Sequence, residues 1–326
     1  MLAGFQRASK PFLEKVLFTC CAPHDRASQI LRFPFIRWHP YDLHTRDALV
    51  ADSDVWLGLG DSPLQSDSGP WFLNHLHEEL RLCIKYRKPM YFLCVGVNDR
   101  EALDSPETVS LLEYSSRIWT RDAHSLSLIL SASPACQAVE AADLANIELA
   151  SQPRLQLSTE EVGVVLHFET LPDGFLTKFS AVANSLSEST LVWIMQETRQ
   201  LHWSESTLIA LLDSAVRKRF VRRVPNYSTD DLQTLLNALS GTDAVITSRY
   251  HAGLVAAWQG SRVALYCRNE KLRGLATQFD ISTFEDFGEG IETILSRSRR
   301  VSRSALLRAA ANAEAASEAF FSAVLG

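Results

Sequence analysis

Arg249 and His251 stand two residues apart in the stretch Ile246-Thr247-Ser248-Arg249-Tyr250-His251-Ala252-Gly253. A guanidinium offers a planar fork of donors suited to phosphate or carboxylate. An imidazole can hold or deliver a proton near neutral pH. Together they could bind an anion and protonate it. The competing reading is packing, because His251, Leu254, Val255 and Trp258 would share one helical face around a hydrogen-bonded core histidine. Spacing alone slightly favours that second reading.

The elements that must position the pair are legible around it. Ala244–Thr247 is a short apolar run, and Ser248 is a good N-cap, which would put Arg249, Tyr250 and His251 in the first helical turn. Gly260 then sits where a helix-ending glycine belongs, before a second apolar run, Val263–Cys267. The positive end of such a helix attracts anions and opposes an imidazolium until an anion arrives. Upstream, Val162–Phe168, Leu191–Gln196 and Arg219–Val224 read as strands, and Ser228 to Asp231 resembles a capping box opening a helix that ends at Gly241.

The N-terminal half alternates in the same way. Apolar runs at Lys15–Cys21, Val55–Leu59 and Tyr91–Val97 are separated by turn residues. A helical pattern after Pro70 carries Leu73, Leu76, Leu80 and Ile84, and another covers Glu107–Tyr114 before Ile118-Trp119-Thr120. A polar stretch with Pro153 suits a linker. This predicts an α/β protein of two Rossmann-like domains facing across a cleft, a GT-B-like architecture. The expected boundaries are 1–152, 153–303 and a C-terminal helix at 304–326.

Composition narrows the class. The chain has 326 residues, 46% of them hydrophobic and 21% charged, and a net charge of -6. That describes a globular protein with no general attraction to nucleic acid. The six cysteines form no Cys-x-x-Cys pair and no metal-like spacing with histidine, and the sequence offers no convincing site for a metal or an organic cofactor. No signal peptide and no apolar run of membrane-spanning length are evident, which predicts a cytoplasmic protein. Peripheral membrane association stays open. The basic clusters at Arg217–Arg223 and Arg297–Arg303 are read first as solvated faces.

The stretch Thr242–Ile281 resembles the C-terminal signature of the polysaccharide pyruvyl transferase family, with Ser248, Arg249 and His251 matching and Tyr250 in place of leucine. Arg268, Lys271 and Arg273 stand for its basic segment. Weaker similarity lies at Asp54–Asp61, where Gly58-Leu59-Gly60-Asp61 stands in place of consecutive glycines, at Arg121, Asp122 and Ser125, and at Asp143. His167 stands where the family often has arginine. The resemblance implies transfer of a pyruvyl group from phosphoenolpyruvate to hydroxyls of a sugar or lipid-linked glycan, with phosphate released. It implies His251 and Arg249 as the catalytic pair, and Ser248, Tyr250, Arg268, Lys271 and His167 around the donor. The acceptor would lie near Gly60 and Asp61. Trp71 and Trp203 could stack on sugar, though packing is their default. A nucleotide-sugar-dependent glycosyltransferase and a non-catalytic glycan- or partner-binding descendant remain alternatives.

Overall fold

The computed structural model describes residues 2–22, 33–66, 69, 71–153, 158–166, 174–185, 190–194, 210, 220–223 and 232–326. The chain divides into two compact units, Met1–Ser151 with Leu306–Gly326, and Gln152–Ala305.

In the first unit β1 (Phe18–Ala22) pairs in parallel with β2 (Ile36–Pro40). A second parallel sheet holds β3 (Trp56–Leu59), β4 (Met90–Val95), β5 (Arg117–Thr120) and β6 (Ala138–Glu140) in chain order. Apart from Tyr91, every residue of β4 is buried, as expected of a parallel strand covered on both faces. The helix Trp71–Tyr86 turns Leu76, Leu80 and Cys83 inward. Ile84, expected on that stripe, is 52% exposed, so the buried stripe advances through Cys83 instead.

The C-terminal helix Arg303–Leu325 packs mostly on this first unit. Phe321 stacks on Phe12 at 4.2 Å and lies 6.1 Å from Phe5, while Phe320 meets Tyr91 at 5.7 Å and Trp119 at 6.3 Å. These aromatic contacts explain why an Ala-rich helix docks there rather than standing alone.

The second unit is one parallel sheet of β7 (Ser158–Val165), β8 (Thr190–Ile194), β9 (Phe220–Arg223), β10 (Thr242–Thr247), β11 (Arg262–Tyr266) and β12 (Ser282–Phe284). Its order is β12-β11-β10-β7-β8-β9. The chain therefore builds outward from β7 to β9, then returns to lay β10 on the other side of β7. This reversal is the topological switch point of a Rossmann-like sheet, and ligands of such sheets bind beyond the carboxyl ends of the strands there. His251, Arg249 and their neighbours follow β10 at that point.

Candidate active site

Thr247, the last residue of β10, fixes the elbow. Its hydroxyl donates to the Val165 carbonyl of β7 at 2.7 Å and accepts from the Arg249 N–H at 2.9 Å. The Ser248 N–H also donates to the Val165 carbonyl, at 3.1 Å. One threonine thus ties the two strand ends of the switch point to the start of the helix Tyr250–Gln259.

That tie shifts the cap by one residue. Arg249, in extended backbone, occupies the N-cap position and supplies no side-chain cap. Ser248 lies one residue earlier, and His251 is the second residue of the helix. Gly260 ends the helix in the left-handed region at φ 92°, as its place in the sequence implied, a conformation that glycine adopts without the usual steric cost. Every residue of the helix except His251 is buried. His251, Arg249 and Ser248 are half-buried at the carboxyl edge of the sheet.

Tyr250 is 3% exposed and meets the His251 ring edge-on at 5.3 Å. Lys271, in the first turn of the helix Glu270–Phe279 that follows β11, places its Nζ 5.6 Å from the Tyr250 ring. The two neighbouring strand-to-helix turns therefore bring Tyr250, His251 and Lys271 together, with Arg249 directly before Tyr250 in the chain. Arg268, exposed, turns instead over Tyr266 at 5.2 Å. Burial pushes the Tyr266 phenol up, with Arg268 opposing. His167 lies outside the described residues.

In the first unit Gly60 is buried and Asp61 exposed, both in left-handed backbone at φ 58° and 57°. The Gly60 N–H donates to Leu93 at 2.8 Å, and the Asp61 carbonyl accepts from Gly96 at 2.7 Å. Arg121 and Asp122 form a buried pair, 0% and 1% exposed, with Nε and Oδ2 3.4 Å apart.

The second basic cluster is partly absorbed by structure. Arg300 pairs with Asp243, which Arg262 also holds at 2.7 Å, and Arg303 lies 4.5 Å over Trp258. In the first cluster, residues 217–219 lie outside the described residues, as does Trp203. Trp71 is 58% exposed, against the default of packing. Sequence reasoning missed Thr247, whose role requires knowing that β7 lies beside β10. It also missed Tyr41, His75, Arg46 and Glu79, which meet across two helices. Among the described residues no group of three His, Cys, Asp or Glu is placed to hold a metal ion, and no helix is long and apolar enough to cross a membrane.

The fold has known relatives. UDP-GlcNAc 2-epimerase from Methanocaldococcus jannaschii is similar over 100% of this chain and 96% of its own, at 10% identity and TM-score 0.62. The MnaA–UDP structure from S. aureus covers 98% of this chain and 90% of its own, at 14% identity and TM-score 0.61. A UDP-glucosyltransferase from Polygonum tinctorium covers 99% and 94%, at 10% identity and TM-score 0.59. These likenesses establish two Rossmann-like domains of the GT-B type. No curated protein matches the sequence significantly. The family model for polysaccharide pyruvyl transferase matches residues 10–260, which spans both units and ends at the glycine closing the elbow helix. On that match, the chain belongs to the polysaccharide pyruvyl transferase family.

Proposed function

We propose that the chain transfers pyruvate from phosphoenolpyruvate to hydroxyls of a sugar or lipid-linked glycan, with the donor bound by the second unit. The observation that carries this reading is the half-buried Arg249–His251 pair at the switch point, on a helix buried at every other position. A rigid platform with one titratable group left at its end suits catalysis better than core packing.

The chemistry assigns the roles. Phosphoenolpyruvate carries a phosphate and a carboxylate, so cationic donors must meet it at more than one place. Arg249 grips one anionic group with its fork, the helix N-terminus adds its positive end, and Lys271 and Arg268 supply further charge. His251, as imidazolium, gives its proton to the donor methylene, which makes the adjoining carbon electrophilic. A sugar hydroxyl attacks that carbon and returns its proton to His251. Phosphate then leaves with the bonding electrons, and a second hydroxyl closes the ketal, its proton going to the departing phosphate. Protons and charge balance with no redox partner.

Ser248, Tyr250 and His167 are assigned to the donor side, and Gly60 with Asp61 to the acceptor side. We place the reaction in the cytoplasm, where phosphoenolpyruvate is available, with no resident cofactor. The test is mass spectrometry of candidate sugars after incubation with phosphoenolpyruvate, reading the added pyruvyl mass and released phosphate. Thermal stabilisation by UDP-sugars but not by phosphoenolpyruvate would favour the nucleotide-sugar alternative, which the UDP-bound fold relatives keep in view.

A further inference from the structure

The first unit carries a second constellation at the carboxyl ends of its strands. Tyr41 directly follows β2 and is 47% exposed, and Trp71 opens the helix after β3 and is 58% exposed. His75, one turn beyond Trp71 on the same helical face, joins them. Its Nδ1 lies 3.1 Å from the Tyr41 hydroxyl, and the two rings are 5.8 Å apart. Phe72 fills the gap, 4.9 Å from Trp71 and 6.5 Å from His75. Asn74, exposed in the same turn, adds an amide.

This surface is braced from beneath. Arg46 and Glu79, 6% and 5% exposed, form a buried ion pair with Nη2 and Oε1 2.6 Å apart. Trp56 donates to the other Glu79 oxygen at 2.9 Å, and Arg46 also holds Glu78 at 3.2 Å. His75 Nε2 stands 3.8 Å from Glu79, and the Arg46 guanidinium lies 5.5 Å from the Tyr41 ring. A buried charge pair of this kind costs desolvation that its own attraction only partly offsets. Here it lies directly beneath the rings of Tyr41 and His75.

We propose that Tyr41, Trp71 and His75 form a binding platform for a neutral glycan, taking the saccharide acceptor onto the first unit. The proposal rests on the reading of the chain as a glycan pyruvyltransferase. Flat, amphipathic rings offer an apolar face to a pyranose while Tyr41, His75, Asn74 and Glu78 offer hydrogen bonds to its hydroxyls. Charge selects the class of ligand. The rim carries Asp42 and Glu78, and the nearest arginine, Arg46, is already paired with Glu79. Thr45 holds the Asp42 carboxyl below its usual range, so the rim stays anionic. Such a rim disfavours anionic lipid surfaces and polyanions, and it tolerates an uncharged polyol.

The test uses the full chain on an array of defined neutral oligosaccharides, with Trp71→Ala and Tyr41→Ala as variants. Stabilisation by phosphoenolpyruvate, followed by thermal shift, is read in parallel. Each variant should weaken glycan binding at least tenfold and leave the phosphoenolpyruvate shift unchanged. Absence of glycan binding by the wild type, or binding that both variants retain, overturns the platform. So does loss in the variants of sedimentation with phosphatidylcholine–phosphatidylserine vesicles in place of glycan binding. Glycan binding through these residues without any phosphoenolpyruvate response would leave the platform standing and remove the transferase reading.

Discussion

Two strand-to-helix elbows in this molecule start from the same device and end in opposite uses. In the second unit the Thr247 hydroxyl donates to the carbonyl of Val165 on the adjacent strand and lies 3.3 Å from the Arg249 carbonyl. In the first unit the Thr120 hydroxyl lies 3.3 Å from the carbonyl of Val139 on the adjacent strand and 3.1 Å from the Asp122 carbonyl. Each elbow then contributes an arginine. Arg121 turns beneath the strand ends, where Gly96 makes room: a Cβ there would stand 2.3 Å from the guanidinium. It reaches the Asp61 carbonyl at 3.3 Å and is 0% exposed. Asp122 caps the following helix by accepting from Ser125 at 2.6 Å. At the other elbow Arg249 itself is the cap residue, provides no cap, and stays half-buried. Which residue holds the cap position therefore goes with whether the arginine is enclosed beneath the sheet or left half-buried at its edge.

The largest effect should follow from His251. His251→Ala and His251→Gln should keep phosphoenolpyruvate binding and lose turnover by about 10²–10⁴-fold, the usual contribution of a general acid–base group. Single-turnover assays beside calorimetric binding separate the two quantities. Turnover within a few-fold of wild type would return His251 to a packing role.

Arg121 should fail in the other sense. Arg121→Met leaves Asp122 buried without its cation, and breaking such a pair costs about 3–5 kcal/mol. Urea unfolding should show that loss, whereas the folded fraction should keep its KM for donor. A KM rise without destabilisation would mean that the first elbow also meets substrate.

Arg249→Lys keeps charge but loses the fork, so donor use should drop roughly a hundredfold, in line with one charge-assisted hydrogen-bonded contact. Stability should change little. Thr247→Val comes next: it removes the brace, and about 1–2 kcal/mol of stability should go with a buried hydroxyl that serves two backbone partners. If Thr247→Val lowered turnover no more than a distant destabilising change does, the tie across the switch point would be incidental to the site.

Much of this was legible from residue order. The runs of β4, β8, β10 and β11 stand out because parallel strands buried on both faces are apolar along their whole length. The elbow and Gly260 were equally plain, since cap and turn chemistry is local. The error at Ser248 is instructive. A serine after a strand normally caps, but here the preceding threonine satisfies the Arg249 N–H, and that depends on where β7 lies. β2 and the helix Leu43–Asp52 gave no clear signal, because that helix buries only Arg46 and Val50. Glu79 sits on an inward face for a reason 33 residues away, its bond to Arg46. Long-range pairs of this kind leave no trace in periodicity.

The smallest expected effect is a difference in acid sensitivity between the units. His75 and His77, both on the helix Trp71–Tyr86, have pKa values pushed below 6.5, in each case chiefly by burial. For His75 the neighbouring Glu79 opposes the shift and Arg46 adds to it; for His77 Glu107 opposes and Arg81 adds. A group whose folded form holds its proton less tightly than the unfolded chain gives stability that fades as pH falls below the unfolded value, because the unfolded chain then binds more protons. The loss should therefore begin near 6.5 and proceed downward. Carboxylates act in a separate window. Asp42 and Asp47 lie below 3.8, held there chiefly by Thr45 and Lys85, so their contribution persists until pH falls beneath that value. Between the two limits the histidines should dominate the slope. Hydrogen exchange of the helix Trp71–Tyr86 should quicken on acidification relative to the elbow helix Tyr250–Gln259, after correction for intrinsic rates. The double variant His75→Gln/His77→Gln should flatten that difference, because glutamine keeps a polar group but takes up no proton. An unchanged slope in the double variant would place the acid response elsewhere and leave the two units alike in this respect.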